Sequence, residues 1–188
     1  MAKKSWQETP EPLDSEARLA VADLLREFDG RSVEPFREAE ALLPAEPAVL
    51  RELAELAAED EAALSVGATW ILKARLESGV AASAELSAVL VEVLLRTDEV
   101  DAQLHLLQTL PFLEIRGAAR DALRSRLEGL LDATNTFVRA WAYNGFAVLG
   151  QTSADDRERA LRLFERVPES EKASVRARIR HARKTLAG

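Results

Sequence analysis

Cysteine is absent from all 188 residues. That removes a disulfide framework, a thiolate metal site and a cysteine nucleophile together. Glycine (8) and proline (7) are sparse, and aromatic residues make up only 5%, so neither a turn-rich β fold nor a low-complexity chain fits. No stretch approaches the roughly eighteen consecutive apolar residues of a membrane span. The opening MAKKSWQETPEP has two lysines with no apolar segment behind them, which predicts a cytoplasmic protein that stays out of the membrane. Histidine occurs twice, as His105 and His181, far apart and outside any HExxH pattern, so no metal site is expected. No GxSxG elbow is present. The run from Gly145 through Gly150 to Thr152 is one residue away from a phosphate-binding loop, with Gln151 where lysine is required. That run closes a helix instead of following a strand, and it lacks the charge a phosphate needs. The sequence therefore predicts no catalytic residue and no cofactor.

What is present favours helices. Hydrophobic residues reach 47% and charged residues 30%, and alanine, leucine, glutamate and arginine, all good helix formers, dominate. The reading is an all-α protein. Residues 1–12 form an extended arm marked by Pro10 and Pro12, with Trp6 expected to dock on the body. Residues 13–188 form a single helical domain. In its first helix, Leu19, Ala22, Leu25 and Phe28 recur at helical spacing and face inward. Asp29-Gly30 ends it, and Ser32 caps the next helix, which tolerates Pro35 in its first turn.

Beyond Pro47, helices come in pairs. Ala62, Val100, Val138 and Val175 fall at equivalent places, 38, 38 and 37 residues apart, and Val66, Leu104, Ala142 and Ile179 follow four positions later. The units are about 13–43, 47–79, 83–115, 117–150 and 153–187. The best-formed segment is 135–150, NTFVRAWAYNGFAVLG, whose Val138, Ala142, Gly145, Val148 and Leu149 mark a buried face.

That segment resembles the second helix of a HEAT repeat, with a Val-Arg pair, small and apolar residues, and a Leu-Gly ending. The pair recurs as Val175-Arg176. The resemblance covers about residues 47–188 and implies a right-handed α-α superhelix, a HEAT-like (armadillo-like) solenoid of about five helix pairs, whose usual activity is binding. The family's usual aspartate six residues before that arginine is missing, since Asp132 lies seven before Arg139. In the repeat register Asp101 stands beside Arg139, and a local pair between repeats is expected there.

In such proteins second helices line the concave surface, so the register predicts a partner-binding stripe of Trp70, Lys73, His105, Gln108, Arg139, Tyr143, Asn144, Arg176 and Arg180, with Gly67 leaving room beside Trp70. Core packing is the alternative for the aromatic residues Trp70, Trp141 and Phe146. The function that follows is a non-catalytic scaffold binding a protein or peptide partner. Charge adds an alternative. Residues 1–115 carry a net −13 and residues 116–188 a net +6. The basic repeats could contact nucleic acid, as in HEAT-like DNA glycosylases, although the acidic first half opposes it. The opposite charges also suggest head-to-tail self-association.

Overall fold

The computed structural model describes residues 15–44 and 48–187. Among them are ten α-helices and no strand: α1 (Ser15–Arg26), α2 (Glu34–Leu42), α3 (Ala48–Ala57), α4 (Ala62–Glu77), α5 (Ala84–Arg96), α6 (Val100–Thr109), α7 (Gly117–Leu130), α8 (Thr136–Gln151), α9 (Ala154–Glu165) and α10 (Ala173–Ala187). The fold is all-helical. The arm with Trp6, and Pro47, lie outside the described residues. None of the helices is long and apolar enough to cross a membrane.

Local chemistry sets the boundaries. Ser83 caps α5 by accepting the Leu86 N–H at 3.1 Å, and Asn135 caps α8 by accepting from Phe137 and Val138. Ser153 caps α9 by accepting from Asp156. Each cap satisfies an N–H that the first turn leaves without a carbonyl. Ser32 acts one residue earlier than a cap would: α2 is preceded by Val33, and the Ser32 hydroxyl accepts from the Glu34 N–H. Helix α6 stops at Thr109, because Pro111 tightens the chain into a 3-10 turn, Leu110–Phe112. The segment that follows is extended at Leu113 and Arg116 before α7 begins.

The helices pack in two layers. Helices α2, α4, α6, α8 and α10 are successive neighbours, while α3, α5 and α7 neighbour one another in the other layer. Helix α1 packs on α2 and α4, and α9 lies mainly on α8. The buried apolar side chains form one cluster from Val21 to Leu186. Leu19, which the spacing places inside, is 62% exposed; Val21 takes the inward position beside Ala22 and Leu25. Gly67 does not leave room beside Trp70. A Cβ there would sit 2.6 Å from Leu25 and 2.9 Å from Phe36, so the glycine lets α4 press against α1 and α2.

Arginines join one helix pair to the next. Arg75 on α4 donates to the carbonyls of Glu40, Leu43 and Pro44, which closes the C-terminal end of α2. Arg126 on α7 does the same for α5 through the carbonyls of Leu94 and Thr97. Last-turn carbonyls have no partner within their own helix, and a cation also complements the negative end of the helix dipole. Arg18 on α1 reaches Glu52 at 2.7 Å and Glu55 at 2.9 Å on α3. Arg120 and Arg124 on α7 converge on Asp156 of α9, each through Nε at 2.7 Å.

Candidate partner-binding face

The starts of the even-numbered helices, Ala62, Val100, Thr136 and Ala173, lie 38, 36 and 37 residues apart. The second interval is two residues shorter than the sequence register assumes. Two residues on a helix are a rotation of about 200°, so side chains on α8 that the register turns to solvent face inward, and the opposite side is open.

Arg139 illustrates the rotation. It turns toward the next helix pair, donating to the carbonyls of Ala133 (2.7 Å) and Thr134 and to Glu171 at 2.9 Å. The Asp101 pairing does not form; Asp101 is exposed on α6. The Glu171 carboxyl is held below the usual range by that arginine and by the Lys172 backbone N–H. Tyr143 is 9% exposed, with its ring 6.2 Å from Phe164 of α9, and burial pushes its hydroxyl pKa up, aided by Glu171 and Asp132. Phe146 is fully buried.

The open side of α8 carries Phe137, Trp141, Asn144 and Val148, at intervals of four, three and four residues that keep one helix face together. Phe137 is 60% exposed, Trp141 and Val148 are half-buried, and Asn144 is mostly buried. Shifting by 36 gives Asp101, His105, Gln108 and Phe112; shifting forward by 37 gives Ser174, Arg178, His181 and Thr185. A contact supports the register: the Arg178 guanidinium lies 3.9 Å from the centre of the Trp141 ring. On α4 the corresponding surface holds half-buried Trp70, 5.9 Å from Phe36, and Lys73, paired with Glu77 at 3.0 Å.

The stripe read from sequence therefore divides. The structure brings Trp70, Lys73, His105, Gln108 and Asn144 to one side of the even-numbered layer. Arg139 and Tyr143 turn toward α9 and the segment before α10. Arg176 and Arg180 are exposed on α10, on the side away from Arg178. Phe137, Trp141 and Arg178 belong to the open face and were not in the sequence-derived set. A phenylalanine four residues before a tryptophan, both off the Val138-Ala142 apolar period, was the available signal.

His105 sits between α4 and α6. The Thr69 hydroxyl donates to the Ser65 carbonyl at 2.8 Å, so it accepts from His105 Nδ1–H, 3.2 Å away. Burial, then the Lys73 charge, push the imidazole pKa down to about 4. The unfolded chain binds this proton near pH 6.5 and the folded chain only near pH 4, so stability falls as pH drops through that window. Between pH 6.5 and pH 5 this histidine removes about 1.5 kcal/mol. In urea titrations at the two pH values, His105→Gln loses that difference; a mutant with the wild-type pH dependence would show that the ring titrates alike in the folded and unfolded chain.

No group of three or more histidine, aspartate or glutamate side chains that could hold a metal exists among the described residues. A cleft of about 790 Å³ opens between the 110–117 segment and the C-terminal end of α8. Its two guanidinium groups are already committed, Arg116 to Glu114 and Arg120 to Asp156, so it presents no assembled reactive group. Compared with known proteins, the chain matches no family model, no curated protein and no solved structure.

Proposed function

We propose that the protein is a non-catalytic interaction scaffold, a short HEAT-like solenoid that binds a protein or peptide partner on the concave side of its even-numbered helices. One observation carries the reading. Near the start of α8, an otherwise well-buried helix, Phe137 is 60% exposed one turn before half-buried Trp141, whose ring carries the Arg178 guanidinium of α10. Large aromatic side chains on a rigid helix offer contact area at small entropic cost, which suits them as anchors for a partner. Two layers of sequentially neighbouring helices also support the solenoid reading, since each repeat then touches mainly its neighbours. The nucleic-acid alternative loses one of its phosphate contacts, because Arg139 is occupied by Glu171 and two carbonyls.

A photo-crosslinking residue placed at position 137, in cells that naturally make the protein, tests the proposal. A discrete protein adduct is expected at 137 and not at Val89, an exposed position in the other layer, and Trp141→Ala removes it. No adduct at 137, or the same adducts at both positions, would remove this face from consideration.

A further inference from the structure

We infer that the partner segment is amphipathic and acidic: it seats a large apolar side chain against Phe137 and Trp141 and sets an aspartate or glutamate side chain on Arg178. This deepens the scaffold proposal and rests on it.

The argument begins with how this protein treats its arginines. Eight arginines are half-buried among the described residues. Six of them, Arg18, Arg75, Arg120, Arg124, Arg126 and Arg139, reach carboxylate or carbonyl oxygens. Arg178 and Arg183 instead lie over aromatic rings, Trp141 and Phe164. Arg183 faces α9, whereas Arg178 lies on Trp141, one helical turn from exposed Phe137.

A guanidinium that has lost water without gaining an anion carries an uncompensated desolvation cost. Burial is the one cause acting on Arg178, and it lowers its pKa from the ordinary arginine value. The guanidinium rests 3.9 Å from the Trp141 ring centre and has no acceptor among the described residues, so its N–H groups suit a bidentate bond to a carboxylate. The rest of the face gives the partner a direction. Asp101 is exposed on α6, at the place that Phe137 fills on α8, and Lys73 is already neutralised by Glu77. A carboxylate is therefore repelled from the α6 side, where Asp101 stands, and drawn toward α10, with the apolar anchor over α8 between them. A nucleic-acid strand fits less well, since its phosphates would run past exposed Asp101.

Selection of short random displayed peptides against the full chain tests this. The expected result is enrichment of peptides with a tryptophan, phenylalanine or leucine at a fixed spacing from an acidic residue. Their binding should weaken about tenfold or more in Arg178→Glu. Changing the peptide's acid to lysine should restore binding to that variant, and Arg178→Lys should retain part of the wild-type affinity, all with unchanged helical content. Selected peptides that depend on Trp141 yet show no acidic preference would overturn the inference and leave the scaffold proposal standing. If no peptide depends on Phe137 or Trp141, both fail. Arg178-dependent binding of a single-stranded oligonucleotide, tighter than any selected peptide, would assign the face to nucleic acid and overturn the inference.

Discussion

Asp156→Ala lowers folding stability by about 3 kcal/mol. The carboxylate is 2% exposed and accepts from the Nε atoms of both Arg120 and Arg124 at 2.7 Å. Burial alone would raise its pKa, but the hydrogen bonds from Arg124 and then Arg120 outweigh it and hold the carboxyl below the ordinary aspartate range. Deleting it leaves two mostly buried cations facing each other. The loss stays at the lower end for a broken buried pair, because Arg120 keeps Thr152 and Leu149 and Arg124 keeps Asp121. Asp156→Asn preserves the shape and one acceptor, and loses roughly half as much. Since the folded-state pKa is depressed, the contribution is complete above about pH 4 and disappears as pH falls through the folded value. Urea denaturation at neutral pH is the measurement, and an alanine variant within about 0.5 kcal/mol of wild type would show that the two arginines do not depend on Asp156.

Gly150→Val is expected to cost about 3 kcal/mol by overpacking. A Cβ at this position would lie 2.8 Å from the Leu186 side chain and 2.9 Å from the Arg157 Cα. The leucine can rotate away. The Arg157 backbone belongs to the first turns of α9, so the helix itself must lift off α8. Gly150→Ala takes about 1–2 kcal/mol by the same route. Gly129, on the exposed side of α7, has nothing within 4 Å of its Cβ position, and Gly129→Ala is expected to stabilise by about 0.5–1 kcal/mol. Thermal melts of the three variants give the answer: if Gly150→Val melts with the wild type, α8 and α9 are not in close register.

The sequence made the helices and their pairing legible, because apolar periodicity and helix stops such as Asp29-Gly30 are local signals. The phase between α6 and α8 is not local. Pro111 ends α6, and the 3-10 turn and extended residues after it absorb two positions of the repeat. Val138 aligns by chemical type with Val100, so nothing in the pattern betrays the slip, yet it turns Arg139 and Tyr143 inward and Phe137 and Trp141 outward. Trp70, His105 and Gln108 precede the slip and keep one side of α4 and α6, with His105 drawn between the two helices. The partners of Arg139 and Arg120 were equally hidden, since they depend on which loops and helix ends meet in space.

The arginine ties join one helix pair to the next, backward from Arg75 and Arg126 and forward from Arg120 and Arg124. Helix α2 is finished by Arg75, α5 by Arg126, and the arginines of α7 by Asp156, each supplied by residues about 30 to 36 positions later. A pair emerging from a ribosome therefore has its apolar face before it has its closing partners, and its last carbonyls wait in water until the next pair follows. Assembly of this chain is completed from behind, with each new pair locking the one already made.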